Sequence, residues 1–363
     1  MHVLVIARLG QQKIYDKLMP LILAQQVTRV TLVRHAPVEI ETAKLTQVIH
    51  NSGLDPQGLN QSVLLSLRNM LACLANGWRL ARQQKPDLVL AYNLVPYGII
   101  ALLVGVLTNR KTAVSLIGTD YNRRVRHPLL GPLLSRLLRH FSLVAVFGDT
   151  PRQQLVDSGL RPEQVIVLPN ATDTSRYQPA VEPAQATTDL IYTGYLRPGK
   201  RVDLLLYTLR EIHNTRPQTT LTIVGEGTER ENLITLTRQL DIESHVRFTG
   251  WADDVQPYLR QARMLGLFSE HEGLPMSVIE ALCTGLPVIV TAVGALETLV
   301  QHGENGFLLP EPADPSTAAG YILSVLDDLP RYTAMREAAL ATCGAYGYDR
   351  AAQVWDDVCD RLF

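Results

Sequence analysis

Short apolar runs alternate with longer amphipathic stretches almost from end to end of this chain. In its first half HVLVIA, RVTLVRH, DLVLAYN, TAVSLIG, LVAVFGD and QVIVLPN are apolar runs closed by turn residues, and each predicts a strand. Segments with helical spacing fill the gaps, for instance NQSVLLSLRNMLACLANGWRLARQQ. Near-continuous apolar strands separated by helices predict a parallel sheet covered on both faces. The pattern then breaks: ATDTSRYQPAVEPAQATT, residues 171–188, has no strand or helix period and carries two prolines, as a linker does. Beyond it DLIYTGYL, TLTIVGEG, HVRFTGW, MLGLFSE, PVIVTAV and GFLLP predict a second α/β series, and the chain closes on helical segments.

The fold expected is therefore α/β, with two Rossmann-like, doubly wound domains over residues 1–170 and 189–345 and a C-terminal helix, 346–363, that rejoins the first. At 363 residues the chain exceeds the size at which one core splits, which agrees. Such sheets bind ligands at the carboxyl ends of their strands, so the two domains would face each other across an interdomain cleft.

Composition adds mainly exclusions. A 46% hydrophobic, 19% charged chain suits buried cores, not disorder. Lys plus Arg (34) almost cancels Asp plus Glu (35), so no global field attracts nucleic acid. Cys73, Cys283, Cys343 and Cys359 form no C-x-x-C pair, which speaks against a zinc site or disulfide framework and for a reducing cytosol. The N-terminus MHVLVIARLG reads as a strand and a turn without the parts of a signal peptide. LVPYGIIALLVGVLT, residues 94–108, is too short to span a bilayer and is expected as a buried helix. A cytoplasmic protein, at most peripheral on the inner face of the membrane, is the expectation.

The candidate chemistry sits at strand-to-helix corners. In MLGLFSEHEGLPMSVIEALCTG, Met264 to Glu270 is the strand, His271 to Leu274 the turn and Pro275 the first helical residue. Gly273 permits close approach to the backbone, and the amides near Met276 and Ser277 suit a phosphate. Glu272 lies at the mouth of the turn. Glu280 lies on the helix, on a polar stripe with Ser277 and Thr284. From spacing alone the glutamates are solvated helix charges, a catalytic pair or acceptors for ligand hydroxyls.

The order of residues in EGLPMSVIEALCTGLPVIVTAVGALETLV resembles the signature of glycosyltransferase family 4, which has the two-Rossmann GT-B fold. That signature has Glu, seven residues, Glu, then a helix and G-x-P-V; Glu272 and Glu280 match, with Gly273, Pro275, Ala281, Gly285, Pro287, Val288 and Gly294 around them. The resemblance implies that Glu272 holds hydroxyls of a donor sugar and Glu280 those of the nucleotide ribose. IYTGYLRPGKRVDLLL is similar to another family segment, in which a strand ends in Gly before an Arg and, five residues on, a Lys. Lys200 matches the Lys, whose charge would stabilise a departing diphosphate. Tyr195 stands at the Arg position, and Arg197 follows two residues later. LTIVGEGTERENL resembles the next corner, with Gly225 and Glu226 bordering the nucleotide, and VRFTGWADDVQPYL places Gly250 and Trp251 near the base. Ordinary packing remains open for Trp251.

The first half matches less fully. VSLIGTDYNRR resembles a corner that often carries His-Gly-x-Asp; Gly118 and Asp120 match, and Ile117 occupies the His position. Asp120 is the catalytic or acceptor-contacting carboxylate expected there, a turn cap being the other reading. After the first strand, Gly10 fits a loop near the diphosphate. YNRRVRHPLLGPLLSRLLRH, with Arg123, Arg124 and Arg126 and leucines at helical spacing, is either a basic acceptor or membrane side or a core helix with solvated arginines. It lacks the stacking aromatics of a nucleic-acid binder.

The resemblance thus implies a retaining enzyme moving a hexosyl unit from a nucleoside diphosphate sugar, foremost a UDP-sugar, to a hydroxyl of a glycan or lipid-linked acceptor. No Asp-x-Asp lies at a sheet edge, so no metal and no cofactor is expected; Lys200 and helix N-termini would carry the diphosphate charge. The competing readings are a sugar-nucleotide epimerase or hydrolase, and a sugar-nucleotide-binding protein weakened in catalysis by Tyr195 and Ile117.

Overall fold

The computed structural model describes residues 1–50, 63–116, 125, 127, 130–177, 179, 182 and 185–363, without the side chains of 11, 12 and 63–66. Of the sequence-derived candidates, Asp120, Arg123, Arg124 and Arg126 lie outside the described residues, as do Ile117 and Gly118. The chain divides into two compact units, 1–171 with 347–363, and 172–346.

The first unit holds strands β1 (His2–Ile6), β2 (Arg29–Arg34), β3 (Leu45–Ile49), β4 (Leu88–Tyr92), β5 (Lys111–Ser115), β6 (Leu143–Val146) and β7 (Val165–Val167). Helices α1 (Gln11–Leu23), α2 (Val63–Gln84), α3 (Ile99–Thr108), α4 (Gly131–Leu138) and α5 (Asp149–Asp157) connect them. All strands pair in parallel, in the order β3-β2-β1-β4-β5-β6-β7. Residues of β4 are wholly buried because helices cover both faces, which is why such strands read as unbroken apolar runs. The edge strand β3 was not among the predicted ones: LTQVI mixes polar and apolar positions and is half-exposed, as an edge allows.

The second unit holds β8 (Thr188–Thr193), β9 (Leu221–Val224), β10 (Val246–Gly250), β11 (Ala262–Leu267), β12 (Val288–Thr291) and β13 (Gly306–Leu309). Its helices are α6 (Val202–His213), α7 (Arg230–Gln239), α8 (Gln256–Arg260), α9 (Met276–Cys283), α10 (Leu296–Leu299), α11 (Pro315–Leu326) and α12 (Leu329–Cys343). The sheet is again parallel, in the order β10-β9-β8-β11-β12-β13. From β8 the chain winds outward through β9 and β10, then returns to place β11 on the other side of β8. The loops after β8 and β11 therefore diverge at a topological switch point, where an open α/β sheet leaves a crevice for ligands. Asp314 and Asp328 cap α11 and α12, accepting from the Thr317 and Arg331 amides at 2.8 and 3.0 Å, with proline in each first turn.

The last helix, α13 (Tyr348–Leu362), packs on α1 in the first unit. Trp355 is fully buried there with Ile14 and Leu18, and the Tyr348 hydroxyl donates to Asp16 Oδ1 at 2.6 Å. Burial of large side chains such as these stabilises by about 1.5–3 kcal/mol each.

Two expectations are corrected. Residues 94–108 are not a buried helix throughout, since α3 exposes Leu103, Val106 and Leu107 on its outer face while Ala101 and Val104 pack on the sheet. Cys283 and Cys343 form a disulfide across α9 and α12, leaving Cys73 and Cys359 as free, buried thiols. The packing of α12 on α9 brings together cysteines 60 residues apart, so cysteine usage no longer points to a reducing compartment. No helix of the described residues is long and apolar enough to cross a membrane.

Candidate functional site

The carboxyl ends of β8 to β12 carry the candidate residues of the second unit. The strand β11 ends at Leu267, earlier than the spacing predicts, and Pro275 is the N-cap of α9 while Met276 is its first residue. The intervening turn holds Glu272, Gly273 and Leu274. The Glu272 side chain is largely buried, and its Oε1 accepts from Lys200 Nζ at 2.5 Å and from Ser269 Oγ at 2.7 Å. Ser269 is itself fully buried, and its carbonyl accepts from the Thr291 hydroxyl at 2.6 Å. The carboxylate is thus held by donors from the β8 and β11 loops together, while Lys200 keeps 28% of its side chain exposed.

Close backbone approach at two glycines makes this possible. Gly294 adopts a left-handed φ of +61°, and a Cβ there would stand 2.1 Å from the Glu272 carbonyl oxygen. The neighbouring Ala295 amide donates to the Gly273 carbonyl at 2.9 Å, so the loop after β12 braces the Glu272 turn. On the other side a Cβ at Gly225 would stand 1.8 Å from the Gly194 carbonyl oxygen. The ends of β8 and β9 close up there, and the Gly225 amide donates to the Gly250 carbonyl at 2.9 Å.

Tyr195, Arg197 and Trp251 form one exposed cluster, the two rings tilted by 32°. The Tyr195 and Trp251 ring centroids are 5.1 Å apart, and the Arg197 guanidinium lies 4.7 Å from the Tyr195 ring centre. The Trp251 indole N–H donates to Asp253 Oδ1 at 3.1 Å, which fixes the ring while leaving the residue 53% exposed. Such a platform offers a π-face to a planar ligand. Glu226 pairs with Arg230 at 3.3 Å beside Gly250.

Glu280 is the candidate whose surroundings differ most from the expectation. Thr284, expected beside it on a polar stripe, is fully buried, and its hydroxyl donates to the Glu280 carbonyl at 2.8 Å within the helix. Glu280 Oε1 instead accepts from the Tyr177 hydroxyl at 3.0 Å. Tyr177 belongs to the stretch read as linker, yet it is buried in the core of the second unit. Ser269 and Tyr177 are the site residues that sequence reasoning missed. Ser269 lies within the matched corner and was legible by proximity, whereas nothing in a Pro-containing linker marks a buried tyrosine.

Burial and the nearby Glu272 charge push the Tyr192 phenol up, so it stays a donor, and it bonds the Tyr195 carbonyl at 2.9 Å. In the first unit Gly10 precedes α1 as its N-cap. There Arg136, Arg139 and His127 line a separate concavity of about 460 Å³ beside the exposed Leu130 and Leu133.

A cation and a carboxylate at the switch point of a parallel sheet, with glycine turns and an aromatic platform beside them, define a class: a GT-B glycosyltransferase. Residues 175–342 match the family described as glycosyl transferases group 1, and residues 24–171 the glycosyl transferase 4-like domain. The two matches between them span both units, and the chain belongs to the group 1 glycosyltransferases.

Among curated relatives it is 32% identical over 170 residues to an uncharacterized glycosyltransferase of Haemophilus influenzae, covering 47% of this chain and 48% of that protein. It is 27% identical over 233 residues to the lipopolysaccharide core biosynthesis glycosyltransferase LpsE of Rhizobium meliloti, covering 63% of each. The chain spans less than two thirds of the length of either relative. The Anabaena protein HepE, solved in complex with UDP, has the same fold, with a TM-score of 0.77 at 19% identity over 99% of this chain and 100% of that one. The same protein has also been solved with UDP-glucose, at a TM-score of 0.74, 18% identity and 99% coverage of both chains.

Proposed function

We propose that this glycosyltransferase moves a hexosyl unit from a UDP-sugar to a hydroxyl of a polysaccharide or lipid-linked glycan, with retention of configuration and without a metal ion. The observation that carries the reading is the Lys200–Glu272 pair across the switch point, one cation for the diphosphate and one fixed carboxylate for sugar hydroxyls. The exposed Tyr195–Trp251 pair supports a base subsite, and Glu280 supports a ribose subsite. HepE, a protein of this fold, has been solved with UDP and UDP-glucose, and LpsE acts in lipopolysaccharide core biosynthesis; both favour the donor and acceptor classes named.

On this reading the bond between the anomeric carbon and the diphosphate oxygen breaks as the acceptor oxygen attaches. The acceptor proton leaves with the diphosphate, whose charge Lys200 and the N-terminal amides of α9 stabilise. The acceptor falls to the first unit, with Asp120 contacting a reacting sugar. Arg123, Arg124 and Arg126, followed by the leucine–arginine face of α4, suit an anionic acceptor or peripheral contact with an anionic membrane.

The test is a thermal-shift screen with UDP, GDP, ADP and their sugars, followed by transfer assays with and without glycan acceptor and with EDTA. A ligand at 100 times its Kd adds about 2.7 kcal/mol of stability. If no nucleotide raises the melting temperature, the reading fails. Donor consumption without acceptor marks a hydrolase or epimerase, and binding without transfer marks the binding protein weakened in catalysis by Tyr195 and Ile117.

A further inference from the structure

Glu280 has a partner that its own helix does not supply. The Tyr177 ring is 8% exposed, packed in the core of the second unit, and its hydroxyl donates to Glu280 Oε1 at 3.0 Å. An ionised carboxylate only accepts, so the single phenol proton goes to Glu280. The segment leading to Tyr177 is anchored at two points: the Thr172 amide donates to the Tyr346 carbonyl at 2.9 Å, and Arg176 pairs with Asp254 at 2.9 Å. Burial, with the Glu280 charge beside it, pushes the Tyr177 phenol up, so it remains a donor at neutral pH.

We propose that Tyr177 is a positioning residue for nucleotide recognition: it holds the Glu280 carboxylate in the rotamer that receives the ribose hydroxyls, and so makes the donor site select ribose over deoxyribose. The inference rests on the ribose reading of Glu280 given above. A free glutamate side chain loses rotamer entropy when binding fixes it. A carboxylate already fixed by a buried phenol has lost much of it in advance, which strengthens binding without adding a ligand contact. The phenol itself occupies only one of the roughly four lone-pair positions of the carboxylate. Tyr177→Phe keeps the ring and its packing and removes only the proton that orients Glu280.

The experiment is calorimetric titration of UDP and of 2′,3′-dideoxy-UDP into the full chain as wild type, Tyr177→Phe, Glu280→Ala and the double variant. Should GDP or ADP prove the nucleotide that binds, the same pair of sugars on that base is used. Tyr177→Phe is expected to weaken UDP about fivefold, to leave the dideoxy nucleotide unchanged, and to have no further effect once Glu280 is alanine. Equal losses on both nucleotides, or a loss that persists in the Glu280→Ala background, would show a packing role and overturn the proposal. If Tyr177→Phe does not fold, Tyr177→Leu, which also removes the phenol proton, is read by the same measure, and a loss blind to the ribose overturns it equally. The underlying reading fails separately: there Glu280→Ala itself leaves UDP affinity unchanged. If Glu280→Ala weakens UDP and Tyr177→Phe does not, only the positioning role is lost.

Discussion

Lys200 Nζ lies 2.5 Å from Glu272 Oε1 although 72 residues separate the two. The loops that carry them diverge on either side of the switch point between β8 and β11, and the Glu272 carboxylate is held a second time by the buried Ser269 hydroxyl. Lys200→Ala is expected to lower turnover about 10²- to 10³-fold, the scale of losing one preorganised electrostatic stabiliser. Steady-state kinetics at saturating donor checks this, and unchanged turnover excludes the diphosphate role. Ser269→Ala leaves the ion pair in place and is expected to cost less.

Trp251 presents more than half its surface to solvent beside Tyr195, with its indole N–H already bonded to Asp253. Stacking of a base on an exposed aromatic is worth about 1–3 kcal/mol. Trp251→Ala is therefore expected to weaken UDP at least fivefold to tenfold, with little change in melting temperature. An unaltered dissociation constant assigns the ring to surface packing alone.

Gly294 combines φ +61° with a Cβ position 2.1 Å from the Glu272 carbonyl oxygen. Gly294→Ala must push its own loop and the Glu272 turn apart to relieve the clash. Strain at such a position costs about 1–3 kcal/mol. The variant is expected to melt several degrees lower and to lose turnover. Gly303→Ala, also at positive φ but with nothing within 4 Å of the added carbon, isolates the backbone contribution. Equal effects of the two variants would show that the contact with Glu272 does not matter.

His35 follows β2, and burial, with the Arg34, Arg8 and His50 charges, holds its pKa down to about 4 from 6.5. The unfolded chain takes up the proton first, so this residue contributes stability that is present above pH 6.5 and lost as pH falls through that window to about 4. His35→Gln removes the difference. Between pH 7 and 5 the wild type is expected to lose about 1 kcal/mol more than the variant, after allowance for solvent screening. Urea denaturation at the two pH values measures it, and equal losses would show that His35 titrates normally in the folded chain.

Local periodicity and turn chemistry were enough to read twelve of the thirteen strands from β1 to β13, since a strand buried on both faces needs an unbroken apolar run whatever its neighbours are. The exception, β3, is an edge whose sequence, LTQVI, mixes polar and apolar positions, so no apolar run marks it. The spacing of Glu272 and Glu280 was also legible, because a turn and a helix place residues eight apart by local geometry alone. Partner choice was not. Lys200 meets Glu272 because the sheet order sets β8 beside β11, and Tyr177 meets Glu280 across 103 residues because the segment before β8 folds onto α9. The Cys283–Cys343 disulfide depends likewise on α12 packing against α9. Sequence patterning determined which elements form and which side chains stand at their ends, since these follow from contacts a few residues long. Tertiary structure decided which of those side chains touch, since that depends on the order in which packed elements are laid side by side.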